Sequence, residues 1–384
     1  MTAEDPPTTM RALALAKFGK PEVYDVATVP TPKITREGEV LIKVEAASVN
    51  PVDVKMASGL TQHHTSRARQ SIIKHTTHPY LTPDRLPYLM GYDVSGTIHS
   101  VHPSVRTFKP GDKVYSRVPE PYRGTIAEYC LSLSHTTALQ PPSLTPSQAA
   151  SVPLVALTAY QSLLRGAAQL PGGLKDKTVF VPAGMSGTGS IAVQLAKNVF
   201  GAKRVITTVS TGKMGRVEEL LGEDIEAVDY TTENVVQRLG KGTVDFMFDT
   251  VGGSLSYGGL VKREGVIVSV SMIPGGTATR ERMERWMGDR RGEIIVSGVV
   301  VRLLDLADWV LRRWAQWKGR RYSYLMMEPS GEDLEKLAGW IEEGKVRPIV
   351  GSEVKLEDVE GVRRGCRQVY DAKGGVGKFV IVVG

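Results

Sequence analysis

The chain has 384 residues, of which 41% are hydrophobic and 23% charged, with a formal net charge of +7. That length exceeds what one compact core organises and implies two domains. Two cysteines, Cys130 and Cys366, exclude a disulfide framework and fit a reducing, cytoplasmic setting, and no apolar run approaches the roughly 18 residues of a membrane span.

In chain order, residues 1–9 form an acidic, proline-bearing tail with neither the cationic nor the apolar region of a secretory leader. Segments 11–16, 39–47 and 94–101 alternate between Pro- and Gly-bearing turns, which predicts a mostly antiparallel β domain. Residues 59–85 interrupt it with a polar stretch rich in His, Thr and Arg, suited to a lid or rim. Its His63, His64, His75 and His78 lack acidic or cysteine partners, so a solvated loop is favoured over a metal site. Ser143-Leu144-Thr145-Pro146-Ser147 sets a hydroxyl cap before a proline and marks a helix start.

An apolar run, Val179-Phe180-Val181, then breaks into Gly184, Gly187 and Gly189 and resumes as Ile191, Val193, Leu195 and Ala196. Strand, tight turn and helix in that order suit a dinucleotide, whose pyrophosphate meets the helix N-terminus. The spacing is GxxGxG rather than GxGxxG, and such a turn alone is weak evidence. Gly184, Ser186, Gly187, Thr188 and Gly189 are the candidate contacts. The next strand, 204–209, ends in Ser210, Thr211 and Lys213, with no acid until Glu218. Where an Asp or Glu would hold a free ribose hydroxyl, these hydroxyls and this ammonium suit a 2′-phosphate, hence NADPH. Further strands within 242–253 and over 265–270 extend a doubly wound parallel sheet with its ligand at the strands' carboxyl ends; Tyr230 and Val251 join the candidate cofactor contacts.

Later, Arg312, Arg313, Lys318, Arg320 and Arg321 interleave with Trp309, Trp314 and Trp317. An amphipathic helix with its aromatic face buried is favoured over an RNA-stacking patch. The positive charge admits nucleic acid or an anionic membrane, but an anionic cofactor and a solvated basic face explain it equally, so neither is expected as a partner. Residues 322–327 read as the last strand of the cofactor domain; with Trp286 and Met287 they would also suit the wall of a bulky, flat, apolar acceptor's pocket.

Four motifs fall in order: Ser48-Val49-Asn50-Pro51-Val52-Asp53-Val54-Lys55, Leu86-Pro87-Tyr88-Leu89-Met90-Gly91-Tyr92-Asp93, Phe108-Lys109-Pro110-Gly111-Asp112 and Gly124-Thr125-Ile126-Ala127-Glu128-Tyr129. With the glycine turn and Ala196-Lys197 they resemble the medium-chain dehydrogenase/reductase superfamily over nearly the whole chain. Within it the chain looks like the zinc-free quinone oxidoreductase and enone reductase branch, including fungal trans-acting enoyl reductases. The resemblance implies an α/β chain with a discontinuous GroES-like β-rich catalytic domain (10–150 and 335–384) and a doubly wound Rossmann domain (151–334). It also implies a monomer or a homodimer, with 293–301 resembling an edge strand through which relatives pair, and a polyketide synthase among candidate partners. Zinc enzymes of the superfamily carry a Cys near position 50 and a Gly-His-Glu; Asn50 and Gly91-Tyr92-Asp93 stand there instead, and 97–129 holds no cysteine, so no metal is expected.

Without a metal to activate an alcohol, the natural chemistry is hydride transfer from NADPH to the β-carbon of an α,β-unsaturated carbonyl. A quinone acceptor is the alternative, and a weakly catalytic zeta-crystallin-like NADPH-binding protein a third reading. The candidate catalytic residues are Asn50, to orient substrate or nicotinamide ribose, and Lys55, to stabilise an enolate or relay a proton. Asp53 is the third, though it could equally pair with Lys55 or cap the local turn. Lys55 could also be a plain surface lysine.

Overall fold

The computed structural model describes residues 5–58, 86–287, 298–372 and 375–384. The polar stretch 59–85, with its four histidines, and residues 293–297 of the expected edge strand lie outside the described residues, as do the side chains of Trp286 and Met287.

The first domain is built on β1 (Thr9–Leu15), β2 (Asp25–Pro30), β3 (Glu39–Val49), β4 (Tyr88–Leu89), β5 (Asp93–Val101), β6 (Lys113–Arg117), β7 (Tyr129–Leu133) and β8 (Thr137–Leu139). β1 pairs antiparallel with β2 and β4, and β3 with β5 and β7. The predicted strands at 11–16, 39–47 and 94–101 are β1, β3 and β5. Alternation works as expected in β3, where Val40, Ile42 and Val44 enter a core with Val94, Ile98 and Val114.

A hydroxyl cap does start a helix at Pro146, but a short one. Thr145 and Gln148 close a capping box on Pro146–Ala150, and Pro153 opens a second helix, Pro153–Ala167. The split follows from Pro153, which has no N–H to continue the first helix and fits the first turn of the next.

The middle of the chain forms a six-stranded sheet from β9 (Thr178–Val181), β10 (Arg204–Val209), β11 (Ile225–Asp229), β12 (Val244–Asp249), β13 (Val261–Ser269) and β14 (Arg321–Tyr324). All neighbours are parallel, in the order β11-β10-β9-β12-β13-β14. This is the doubly wound arrangement, whose order reverses between β9 and β12. Both faces are covered, so the central strands are apolar without alternation: Val179, Phe180, Val181, Phe246, Met247 and Phe248 are all fully buried.

Two expectations fail between β13 and β14. Residues 298–301 are not strand but the first turn of a helix, Gly298–Trp317. Valines favour strands, but Val301, Asp308, Leu311 and Ala315 recur at helical spacing on its buried face, and that period prevails. Nor is the aromatic face buried. Trp314 packs against the core, while Trp309 and Trp317 are 53% and 78% exposed.

The chain then returns to the first domain. Helix Gly331–Glu342 still buries Leu334, Leu337 and Ile341 in the core of the parallel sheet. From Val350 onward β15 (Val350–Lys355) and β16 (Lys378–Val382) extend the first sheet in the order β15-β16-β3-β5-β6-β8. β16 runs antiparallel to β3, with Phe379 opposite Val49.

Candidate active site

At the topological switch point, β9 ends in the glycine turn. Ala183 adopts φ 55°, and its N–H donates to Thr208 Oγ1 at 3.0 Å while Gly184 N–H donates to the Thr208 carbonyl at 3.2 Å. A Cβ on Gly189 would strike the Ala183 carbonyl, and one on Gly184 the Thr207 side chain. Ser186 caps helix Gly187–Asn198 by accepting from Gly189 N–H at 3.0 Å. The turn thus lets backbone approach backbone and leaves the helix N-terminus facing the sheet's carboxyl edge, a cradle that fits a pyrophosphate.

The same edge holds the remaining candidates. Ser210, Thr211 and Lys213 follow β10, and Tyr230 N–H donates to the Val209 carbonyl at 3.1 Å. The Thr211 hydroxyl, however, donates to Asp229 at 2.6 Å. Asp229 also accepts from Thr231, and these bonds hold its carboxyl down to about 2. Lys213 Nζ donates to the Gly375 carbonyl at 3.1 Å, and burial lowers its ammonium pKa. Val251 is exposed on a loop that the buried Asp249 organises: one oxygen accepts from Gly253 N–H at 2.8 Å, the other from Ser254 N–H at 2.9 Å. Thr250 Oγ1 ties that loop to the Pro182 carbonyl at 2.8 Å. Asp229 and Asp249 were not singled out from sequence; each is an acid closing an apolar strand, the signal that would have found it.

The second half of the site lies in the first domain. Asn50 follows β3 as the N-cap of the short helix Pro51–Ala57. Asp53 caps it, accepting from Asn50 N–H at 2.7 Å. Asp53 is fully buried with Oδ1 unbonded among the described residues, and burial raises its carboxyl to about 7. Of its two expected local roles, the structure therefore displays the cap.

Asn50 Nδ2 donates to Asp93 Oδ2 at 2.8 Å, and its Oδ1 accepts from Lys378 Nζ. Lys378 also donates to the Val49 carbonyl at 3.0 Å and stands 3.7 Å from Asp93. Asp93 further accepts from Ser48 Oγ at 3.1 Å and from Leu154 N–H at 2.9 Å. Burial raises the Asp93 carboxyl and lowers the Lys378 ammonium, each opposed by the other's charge. The Asn50 amide is therefore held at both ends. Lys378 reaches the cofactor half as well, since a Cβ on Gly187 would lie 2.7 Å from its Cδ. Tyr92 is buried beneath the Arg117 guanidinium, 4.6 Å from its ring. Where zinc enzymes would present Cys and His, this chain sets two buried cations, the Lys378 ammonium beside Asn50 and the Arg117 guanidinium over Tyr92.

Lys55 stands apart from this network. It is exposed in the last turn of helix Pro51–Ala57, and its ammonium makes no bond among the described residues. The structure thus brings Asn50 and Asp53 together with Asp93 and Lys378, and leaves Lys55 facing solvent on the same short helix.

A dinucleotide cradle on a doubly wound sheet, facing a β-rich domain with a fixed polar cluster, defines a two-domain nicotinamide-dependent oxidoreductase. Residues 36–141 match the family described as "Alcohol dehydrogenase GroES-like domain", and residues 221–364 the one described as "Zinc-binding dehydrogenase". The chain belongs to the medium-chain dehydrogenase/reductase family, in its zinc-free, quinone oxidoreductase-like branch. It is 31% identical to the mouse mitochondrial NAD(P)H oxidoreductase RTN4IP1 over 89% of this chain and 82% of that one. It is also 31% identical to 2-methylene-furan-3-one reductase of Solanum lycopersicum, over 90% and 72%. Among solved structures, the quinone oxidoreductase of Coxiella burnetii superposes with TM-score 0.72 at 26% identity, covering 98% of this chain and all of that one.

Proposed function

We propose that the protein is an NADPH-dependent reductase that adds hydride to the β-carbon of an α,β-unsaturated carbonyl. The observation that carries this reading is the Asn50–Asp93–Lys378 cluster. It supplies a neutralised, hydrogen-bonded wall where metal-dependent relatives bind zinc, so the acceptor must already be electron-poor. Relatives named as NAD(P)H oxidoreductases and as an enone reductase support it.

In this reading NADPH, when bound, supplies the hydride. The glycine turn and helix Gly187–Asn198 would hold its pyrophosphate, and Ser210 and Lys213, at the end of β10, would hold its 2′-phosphate. Asn50 is fully buried, so its remaining amide hydrogen and lone pair, held in direction by Asp93 and Lys378, would meet substrate or ribose only where binding opens its cover. Negative charge develops on the carbonyl oxygen as the β-carbon accepts hydride. The exposed ammonium of Lys55 would stabilise that oxygen and pass a proton to the α-carbon.

Quinone reduction is the second reading, favoured by the likeness to quinone oxidoreductases. The finer assignment, an enoyl reductase of fungal secondary metabolism serving a polyketide synthase, rests on motif resemblance alone. The two buried thiols favour the cytoplasm, although several relatives carry "mitochondrial" in their names. The test is loss of NADPH absorbance with a panel of enones, enals and quinones. Enones and enals should give the highest kcat/KM; turnover of quinones alone would favour the second reading, and no turnover of any would refute both.

A further inference from the structure

Helix Gly298–Trp317 is apolar on two sides. One buries Leu311 and Ala315 against the parallel sheet and Val301 near Gly276. The other turns outward Val299 (67% exposed), Leu303 (61%), Leu306 (55%), Trp309, Val310 (50%) and Trp317. These positions recur at helical spacing, so they form one stripe roughly 27 Å long. Surface helices normally show charge to water, and an apolar stripe of this length marks a contact surface.

Among the described residues of this helix and its C-terminal end, the exposed charges on and beside the stripe have one sign. Arg302, Arg313 and Lys318 are exposed. Arg313 lies 5.5 Å from the Trp309 ring and Lys318 3.8 Å from the Trp317 ring. The two acids of the helix are occupied elsewhere: Asp305 accepts from Thr277 N–H at 2.9 Å, and the buried Asp308 pairs with Arg312 at 2.6 Å. A second copy would meet this pattern badly. Antiparallel pairing about the stripe's middle sets Arg302 against the other copy's Arg313, and parallel pairing sets each arginine beside its twin. A partner carrying negative charge over an apolar interior has no such conflict.

We propose that this face lies on an anionic lipid surface, with Leu303, Leu306, Trp309 and Val310 entering the headgroup boundary and Arg302, Arg313 and Lys318 meeting lipid phosphates. The contact is with the membrane plane, since no described helix is long and apolar enough to cross it. It does not depend on which acceptor the enzyme reduces.

The experiment is co-sedimentation of the full chain with phosphatidylcholine vesicles, with and without phosphatidylserine, alongside sedimentation velocity without lipid. Binding should require phosphatidylserine and weaken as salt is raised. It should fall about fivefold for each of Arg302→Gln and Arg313→Gln, which corresponds to roughly 1 kcal/mol per cation near such a surface. Leu306→Glu with Trp309→Glu should abolish it, while NADPH oxidation with a soluble acceptor is unchanged. No binding to phosphatidylserine vesicles at low salt would overturn the proposal, as would binding indifferent to these substitutions. A dimer in velocity runs that Leu306→Glu converts to monomer would assign the stripe to a second copy, and would overturn it too.

Discussion

Replacing Lys378 by Met keeps the length of the side chain against Gly187 and removes its ammonium. Asp93 would keep its donors from Ser48, Asn50 and Leu154 but lose the only cation described within 4 Å of it, at 3.7 Å, while fully buried. Removing one partner of a buried ion pair costs about 3–5 kcal/mol, because the other charge stays uncompensated. The Asn50 carbonyl loses its donor as well, about 1 kcal/mol more. The melting temperature should therefore fall by on the order of 10 °C. Asp93→Asn combined with Lys378→Met should recover more than half of that loss, since no buried charge is left unpaired. Kinetically, Lys378→Met frees the Asn50 amide to rotate, so kcat should fall even at saturating NADPH. The assays are calorimetric unfolding and steady-state kinetics on the two variants and wild type. A single variant as stable and active as wild type would refute this account, as would a double variant no better than the single.

Lys55→Ala should lower turnover by about 10²–10⁴ with NADPH binding nearly intact, and Lys55→Arg should restore little of it; wild-type turnover in Lys55→Ala would return Lys55 to an ordinary surface role. Lys213→Ala should raise KM for NADPH about tenfold or more while sparing NADH, and equal losses for both would count against the phosphate assignment. Because burial raises Asp53 to about 7, its folded form holds a proton more tightly than its unfolded form. Its contribution to stability is thus fully present below the ordinary carboxylate range and is lost as pH rises toward about 7. Asp53→Asn should flatten that segment of the stability curve measured by denaturant titration; an unchanged slope would show that Asp53 is ionised throughout. Gly189→Ala should abolish NADPH binding or folding, since its Cβ meets the Ala183 carbonyl, and a variant with native NADPH affinity would show that the turn can relax.

Much of the fold was readable where one periodicity dominates. The predicted strand 204–209 is β10 without adjustment, because Val205, Ile206 and Val209 bury beneath helices on both sheet faces. Helix Gly298–Trp317 shows the limit. A helix apolar on two sides announces a buried face but not which tryptophan occupies it, and the aromatic side was expected inside. The site divides in the same way. Asn50 and the glycine turn are local motifs and were found, whereas Lys378 lies 328 residues from Asn50 and looks, in sequence, like a stray charge before an apolar strand. Asp229 escaped because only the parallel register of β10 with β11 brings it to Thr211.

The order in which the ribosome makes these parts has its own consequence. β3 and Asn50 emerge early, and the parallel sheet is complete once β14 has been made, yet β16 and Lys378 come only at 378–382. Domains fold as units during synthesis, but the glycine turn is complete only once Gly377 N–H reaches the Met185 carbonyl at 2.8 Å, so the cradle and the β3 edge that β16 covers are closed by the same last residues. A nascent chain short of those residues has an unfinished cradle and an unfixed Asn50, and its open strand edge is where a chaperone or an errant strand would first bind.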